Sequence, residues 1–333
     1  RYWQPPSSQA PMTNASAASR CGAVIDRHVP KTGGTTVRTF LRHNANLGSC
    51  HYAGYDVSST WKSRVGFNHV GFREIARDLA MGGRLWCVEA HVVADTFWQD
   101  LGVLRSTLSQ APRTPPCTIV TLVRVREPYS WYKSYYSWAV LERQRGGMPS
   151  ATWGANFTDW LPYNLQSRHL LVGDRLSAGT KHGVALSRRP RRLDPRRLSE
   201  EQWAGVRRVL AAADVTIPLE RLDEALVLVA HLAPFLQSTL YRRHAPGPMR
   251  GAWDKVRPRR AVPELRAFCA PGEAERACRA AVEAVAIDDR RLHGMVSANF
   301  AKQLTAAQAD PAYPQRLNDH RVGVHALASW EGD

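Results

Sequence analysis

A glycine-rich basic turn that follows a short apolar run constrains this chain more than any other feature. Residues 24–44 read VIDRHVPKTGGTTVRTFLRHN, and the apolar residues at 23–25 suit a buried strand. Pro30 and the two glycines at 33 and 34 end that strand. Three apolar residues then fall at the spacing of one helix face, namely Val37, Phe40 and Leu41. The segment therefore predicts a strand, a loop and a helix in that order.

The predicted loop has the features of an anion-binding site. Lys31 lies within it, and Thr35 or Thr36 is placed to cap the helix that follows. The free N–H groups and the positive dipole end of that helix then point into the loop. Nucleotide P-loops place their lysine after the last glycine, whereas Lys31 precedes both glycines, so the sequence disfavours an ATPase. The alternative is an ordinary glycine-containing turn that binds nothing.

A second basic motif follows another predicted strand, at 118–123. Arg126, Glu127 and Pro128 come next, and Pro128 suits the first turn of a helix. Ser134 lies on this helix, eight residues after Arg126. The planar guanidinium of an arginine meets two phosphate oxygens at once, and a serine adds a neutral donor. We therefore expect a second phosphate contact at Arg126 and Ser134.

A further predicted strand, at 85–93, carries Glu89 and His91 near its carboxyl end. Ligands of open α/β sheets bind at that edge. Helical spacing follows at 200–210, 222–236, 273–285 and 288–304, with a short strand predicted within 211–220. This pattern predicts one α/β domain whose central, mostly parallel sheet is flanked by helices. We expect a flexible stem at 1–20, the domain at 21–304 and a C-terminal tail at 305–333.

The charge of the chain indicates an acidic partner. Its 333 residues include 45 Lys and Arg against 29 Asp and Glu, a formal net charge of +16. Such a surface attracts polyanions, which include nucleic acid, anionic lipid and acidic polysaccharide. The longest apolar run, 225–236, is shorter than the roughly 20 residues that cross a bilayer as a helix. The sequence has neither a zinc-finger pattern nor an RNA-binding aromatic signature, which disfavours nucleic acid.

The cysteines and the glycosylation sequons indicate a secretory compartment. Six cysteines form no CxxC pair, so we expect no metal site. Sequons at Asn14 and Asn156, together with the even cysteine count, predict a disulfide-containing glycoprotein. We predict a local Cys269–Cys278 bridge, because the short turn between them can bring two chain ends together.

The two basic motifs together resemble a known family. PKTGGTT after a strand is similar to the 5′-phosphosulfate loop of sulfotransferases that use 3′-phosphoadenosine 5′-phosphosulfate (PAPS), and Arg126 with Ser134 is similar to their 3′-phosphate element. HVPKTGGTTVRTFLRHN most resembles the Golgi enzymes that sulfate heparan at the 6-O or 2-O position. Weaker similar blocks extend the resemblance over about residues 23–304. One departure is Trp131, which stands where many relatives have a further arginine; Arg124 or Lys133 is the candidate substitute.

The resemblance implies a P-loop-like fold, PAPS as the sulfuryl donor and no metal. It assigns donor binding to nine residues: Lys31, Thr32, Gly33, Gly34, Thr35, Thr36, Arg126, Ser134 and Arg168. Lys31 would also stabilise charge on the leaving 5′-phosphate. His91 matches the histidine that acts as base in heparan-type relatives, and Glu89 would assist it. The alternatives are a structural His91 and a salt-bridged Glu89, and we expect His28 inside the loop to be structural.

The resemblance also implies a glycan acceptor and a lumenal location. We expect a Golgi enzyme held by an N-terminal anchor outside this sequence, as in type II membrane proteins, or a secreted one. Two alternatives stay open: a glycan-binding protein with an inactive donor site, and a sulfotransferase with a non-carbohydrate acceptor. A nucleotide kinase of related fold is disfavoured by the position of Lys31. The sequence does not identify the acceptor or the oligomeric state.

Overall fold

The protein is an α/β domain built on one parallel sheet. The computed structural model describes residues 21–54, 75–81, 84–90, 94–110, 117–138, 156–172, 196–239 and 268–329. The predicted stem at 1–20 lies outside these ranges. The five strands are β1 Gly22–Arg27, β2 His51–Ala53, β3 Trp86–Ala90, β4 Thr118–Val125 and β5 Val215–Pro218. They are ordered β2-β3-β1-β4-β5, and every neighbouring pair is parallel, which confirms the predicted fold class.

The strand order places a topological switch point at the carboxyl end of β1. The chain goes from β1 to β2 and β3 on one side, and then crosses β1 to form β4 and β5 on the other. Connections that leave neighbouring strands in opposite directions create the point where open α/β sheets bind ligands. All six residues of β1 are buried, because strands and helices cover it on every side. The loop that follows Arg27 therefore emerges at the sheet edge where open α/β sheets in general bind ligands.

Helices flank the sheet in the described ranges, and ten of them have bounds that the structure describes in full. They are α1 Gly34–Asn46, α2 Ala94–Gln110, α3 Pro128–Tyr136, α4 Phe157–Trp160, α5 Leu165–Val172, α6 Glu200–Ala212, α7 Leu222–Leu232, α8 Glu273–Val285, α9 Ile287–Gln308 and α10 Ala312–Ser329. Residues 75–80 are also helical, and Leu219–Arg221 form a 3-10 turn after β5. None of the helices described is both long and apolar enough to span a bilayer.

Some elements differ from the sequence expectation. β2 lies within residues 48–68, whose polar and aromatic composition predicts a loop. Its three residues are too few to show an alternating pattern in the sequence. The helix expected at 222–236 ends at Leu232, shortly before Pro234, which disfavours helix at the residue before it. In the expected tail, α9 extends four residues past position 304 and α10 follows. Tyr313 of α10 is fully buried against α7, so this region is part of the packed core.

Three disulfides join all six cysteines. The predicted Cys269–Cys278 bridge is confirmed, and it closes the turn at the start of α8. Cys21–Cys117 joins the residues that precede β1 and β4, and Cys50–Cys87 joins β3 to the residue before β2. Disulfides in this number point to an oxidising, secreted or lumenal compartment. The bridges therefore tie the sheet at several strands and leave the carboxyl edge of β1 open.

Candidate functional site

The loop between β1 and α1 holds its backbone in an unusual conformation. Lys31 and Gly33 have φ angles of 63° and 81°, which lie in the left-handed region. Helix α1 begins at Gly34 with Gly33 as its N-cap, and no side chain caps it. The prediction that Thr35 or Thr36 caps the helix is therefore wrong. The glycine conformation lets the helix start earlier, so both threonines lie in its first turn.

The uncapped start of α1 leaves several backbone donors available. The N–H groups of Thr32, Gly33, Gly34 and Thr35 donate to no other described group. The first turn of α1 contains no acidic residue. Successive N–H groups around a left-handed residue form a concave anion site, and the helix dipole adds positive potential there. The loop thus has the donors and the field that an anionic oxygen cluster requires.

Both glycines of the loop are required by close packing. A Cβ on Gly34 would lie 1.5 Å from Cε1 of His28, so no side chain fits at position 34. A Cβ on Gly33 would lie near the Leu219 side chain, and its φ of 81° already disfavours other residues. His28 is buried and packs beneath the start of α1. The Gly-Gly pair therefore results from the packing of the loop onto His28 and Leu219.

Glu89 is the centre of a buried polar network. Its carboxylate is 1% exposed and accepts two hydrogen bonds from Arg38, at 2.7 and 2.8 Å. The hydroxyl of Tyr52 donates to it at 2.7 Å, and Nδ1 of His28 lies 3.1 Å from its Oε1. Glu89, which is predicted to assist His91, thus connects β3 to α1, to β2 and to the loop. The same contacts support the expectation that His28 is structural.

A buried ion pair holds the loop against β4. Asp26 of β1 and Arg124 of β4 are fully buried and meet through two hydrogen bonds, at 3.1 and 2.6 Å. A further N–H of Arg124 donates to the carbonyl of Thr32. The hydroxyl of Thr32 in turn donates to the carbonyl of Val29 at 2.7 Å. Arg124, one candidate for the arginine that Trp131 replaces, therefore binds Asp26 and the loop in the interior of the protein.

Arg126 begins the second basic element at the same edge of the sheet. It directly follows β4, and its backbone N–H and carbonyl both bond to the side chain of Gln166, at 2.7 and 2.9 Å. Its half-buried guanidinium makes no hydrogen bond to another described residue. Burial lowers the pKa of Arg126, against the opposing effect of the Glu220 and Glu127 carboxylates. The backbone is thus fixed while the charged end stays available.

Helix α3 brings Ser134 toward the loop. The indole N–H of Trp131 donates to the carbonyl of Pro30 at 2.8 Å, and Nζ of Lys31 lies 5.7 Å from the ring centre of Trp138. Ser134 follows Trp131 by three residues on α3, so it lies on the same helix face, which is the one that meets the loop. Its hydroxyl bonds to no other residue in the described ranges. Lys31 and Ser134 therefore flank the same region.

Arg168 lies deeper than a surface arginine would. It is 8% exposed, and its Nε donates to the carbonyl of Tyr163 at 3.1 Å. The neighbouring Ser167 bonds to Asp289 through its N–H and its hydroxyl, at 2.7 and 2.6 Å. Burial raises the pKa of Asp289, while these hydrogen bonds oppose the rise. The block around Arg168 is thus anchored to α9, and its role in donor binding stays a prediction.

Sequence reasoning missed several residues of this site. Trp131 appeared only as a departure from the expected arginine, and Glu220 was not singled out. Glu220 accepts a hydrogen bond from the N–H of Glu127 at 2.8 Å and lies 3.1 Å from Nε2 of His293. The available signal was its position at the end of the segment 211–220, in which a short strand is predicted, because β5 ends two residues before Glu220 at the same sheet edge.

The predicted base, His91, lies outside the described ranges, directly after β3, which ends at Ala90. Across the described ranges, no three His, Cys, Asp or Glu side chains are grouped as metal ligands. Two basic elements nevertheless meet at the carboxyl ends of the neighbouring strands β1 and β4. Comparison of the chain with protein-family models, with curated proteins and with solved structures finds no match.

Proposed function

We propose that this protein is a PAPS-dependent sulfotransferase of the P-loop-like type that sulfates a carbohydrate hydroxyl. One observation carries the proposal. The Lys31 loop and the Arg126–Ser134 element were recognised separately in the sequence, and they lie side by side at one sheet edge. The hydrogen bond from Trp131 to Pro30 joins them directly. A ligand with two phosphate groups matches such a pair of sites.

The residues present fit the two anionic ends of PAPS. The N–H groups of residues 32–35 suit the 5′-phosphosulfate, because they have no other acceptor in the described ranges. The guanidinium of Arg126 and the hydroxyl of Ser134 suit the 3′-phosphate for the same reason. Gly33 and Gly34 let the loop backbone pack closely on Leu219 and His28, and this close packing sets the loop conformation that presents the N–H groups.

The loop residues account for charge stabilisation. Bound PAPS supplies a sulfuryl group that passes to the acceptor oxygen by in-line displacement as the 5′-phosphate leaves. Lys31 and the surrounding N–H groups act where negative charge grows, at the oxygen that joins sulfur to phosphate. Donors fixed before the reaction contribute about 10²- to 10³-fold in rate when aimed at such charge. Lys31 is suited to this role because it lies in the loop next to these N–H groups, and its Nζ lies 5.7 Å from the ring centre of Trp138.

Proton removal from the acceptor is assigned to His91. Histidine is the side chain whose ordinary pKa best suits a general base at neutral pH, and His91 directly follows β3 in the sequence. Glu89, two residues earlier, is engaged by Arg38, Tyr52 and His28. Its two oxygens already accept hydrogen bonds from Arg38 and Tyr52, so they are not directed at an acceptor hydroxyl. We therefore assign Glu89 a positioning role at the site.

The acceptor is proposed to be a glycan in an oxidising compartment. A net charge of +16 favours an acidic polysaccharide, and electrostatic attraction of this kind weakens as salt is added. The three disulfides favour the Golgi lumen or the extracellular space over the cytosol. This compartment also makes nucleic acid an improbable partner. The proposed substrate class thus agrees with both charge and redox state.

Binding and transfer assays test the proposal. Calorimetry should detect 3′,5′-ADP with an affinity well above that for ATP, and Lys31→Met and Arg126→Met should each weaken it. Incubation with ³⁵S-labelled PAPS should then label a glycan from a panel that also holds a phenol and a tyrosine peptide. Binding of ATP in preference to 3′,5′-ADP would overturn the donor assignment. Glycan binding without label transfer would indicate an inactive donor site, and transfer to the phenol or peptide would change the acceptor class.

A further inference from the structure

We propose that Trp131 is a positioning residue that sets the conformation of the anion loop for the 5′ end of the donor. This inference rests on the proposed function and adds a residue to it. Trp131 is fully buried and sits on α3, whereas the loop belongs to the β1–α1 connection. Its indole N–H donates to the carbonyl of Pro30 at 2.8 Å. This hydrogen bond connects α3 to the loop.

The hydrogen bond acts on the peptide group that contains the Lys31 N–H. A trans peptide is planar, so its carbonyl oxygen and its N–H point in opposite directions. When Trp131 fixes the Pro30 oxygen, it therefore fixes the direction of the Lys31 N–H as well. Lys31 has φ of 63°, a conformation that a residue with a side chain adopts only when its surroundings hold it there. The Trp131 bond is a contact that can hold it.

The indole itself is held by its neighbours. Its ring stacks on Tyr135 with centroids 4.8 Å apart and meets Tyr132 edge-on at 5.2 Å. Tyr132 is fixed in turn, because its hydroxyl donates to the carbonyl of Pro162 at 2.9 Å. A donor that is immobilised before ligand binding constrains the loop without a further loss of entropy. Trp131 therefore transmits the rigidity of the aromatic cluster to the loop.

The inference predicts an effect on one end of the donor only. Trp131 contacts the loop, whereas the second phosphate element consists of Arg126 and Ser134. Loss of the indole N–H should weaken ligands that occupy the loop and spare ligands that use only the second element. A general loss of folding would weaken both classes alike. The difference between the classes is thus a readout that a purely structural role would not produce.

Three nucleotides and two matched variants test this. Trp131→Phe removes the N–H, and Trp160→Phe makes the same change in the same aromatic cluster without touching the loop. We expect Trp131→Phe to weaken 5′-AMP and 3′,5′-ADP by about 3- to 10-fold each, the range of one buried hydrogen bond. Affinity for 3′-AMP should stay within about twofold, and Trp160→Phe should leave all three nucleotides near wild type.

Hydrogen exchange gives a readout that needs no nucleotide. In the unliganded protein, Trp131→Phe should speed exchange in a peptide that covers residues 28–36, and Trp160→Phe should not. Equal weakening of all three nucleotides, or unchanged affinity for 5′-AMP, would overturn the positioning role. If wild-type protein binds none of the nucleotides, the proposed function fails. In that case hydrogen exchange alone tests whether Trp131 positions the loop, and unchanged exchange at residues 28–36 in Trp131→Phe would refute that role.

Discussion

The guanidinium of Arg124 and the carboxylate of Asp26 form a fully buried pair that connects two neighbouring strands to the anion loop. Two hydrogen bonds join the charged groups, at 3.1 and 2.6 Å, and a further N–H of Arg124 donates to the carbonyl of Thr32. Both residues are 0% exposed. One side chain thus balances a buried charge and fixes a loop carbonyl. The pair links the stability of the sheet to the geometry of the site.

Removal of one partner should be far more harmful than removal of both. Arg124→Met removes both hydrogen bonds that the guanidinium gives to the buried Asp26 carboxylate, and breaking a buried pair in this way costs about 3–5 kcal/mol in similar cases. The double change Asp26→Leu with Arg124→Met should recover part of that loss in the free energy of unfolding. Urea unfolding of the three proteins measures this. A single variant within about 1 kcal/mol of wild type would show that the pair is not a main contributor.

The sequence predicted the loop well because its signals are local. Gly33, Gly34 and Lys31 follow an apolar run and precede a helical pattern, so a few adjacent residues are sufficient. The pair of Asp26 and Arg124 was invisible because its members are 98 positions apart and look like ordinary charged residues beside a strand. Side-chain networks depend on which strands become neighbours, and no short stretch of sequence encodes that order.

Glu89 illustrates the same limit within the site. Its place near the end of β3 was correctly predicted from an apolar run. Its partners Arg38 and Tyr52 come from α1 and from β2, a strand that was predicted to be a loop. Periodicity identifies the strand that delivers a residue to the sheet edge. It does not reveal which donors will surround the side chain, and those donors determine its chemistry.

Substitution of Gly34 should damage the loop, whereas the same change elsewhere should be beneficial. In Gly34→Ala the new Cβ would overlap His28, so we expect a loss of about 1–3 kcal/mol in unfolding free energy and much weaker 3′,5′-ADP binding. Gly102→Ala is the matched control on α2, where a Cβ meets open space. It should stabilise the protein by about 0.5–1 kcal/mol. Similar melting temperatures for both variants would contradict the packing at His28.

The contribution of Glu220 to stability should decrease in acid. Burial raises its pKa, but hydrogen bonds from His293 and from the Glu127 N–H outweigh it, and the pKa lies below the usual 4.5. A carboxylate with a depressed pKa contributes stability above its unfolded-state pKa and loses it as pH falls through the folded-state value. The difference in unfolding free energy between wild type and Glu220→Gln should therefore be smaller at about pH 4 than at pH 7. Glu201→Gln, an exposed residue on α6, should give no such trend.

Asn156 should carry an N-linked glycan when the protein is made in a secretory pathway. Asn156 and Thr158 are exposed, the carboxamide does not cap α4, and Phe157 between them is buried. The two residues that the sequon requires are therefore accessible. Treatment with a peptide N-glycosidase should lower the apparent mass. Asn156→Gln and Thr158→Ala should abolish that decrease at this position and Thr158→Ser should keep it, whereas an unmodified Asn156 peptide in mass spectrometry would refute the prediction.

Loss of the Cys269–Cys278 bridge should loosen the contact between α8 and α3. Arg279 of α8 lies 4.3 Å from the ring centre of Tyr129, and the Tyr129 hydroxyl is 3.4 Å from Glu275. The bridge fixes the start of α8 at this contact. Without the bridge the unfolded chain gains conformational entropy, which lowers the free energy of unfolding by about 2–3 kcal/mol for a loop of this size. Cys269→Ser with Cys278→Ser should therefore lower the melting temperature.

The same variant separates stability from donor binding. Helix α8 contacts the start of α3, at the N-cap Glu127 and at Tyr129. The loop lies against Trp131 of α3 and near Trp138, which follows that helix. The double variant should therefore bind 3′,5′-ADP with nearly wild-type affinity, although its melting temperature is lower. Tyr129→Leu, which removes the docking contact while the bridge stays closed, is the matched control. Free thiols at 269 and 278 in unreduced peptides, or a double variant as stable as wild type, would contradict this account. Equal stability would mean that the packing of Val282, and not the covalent bond, holds α8 in place.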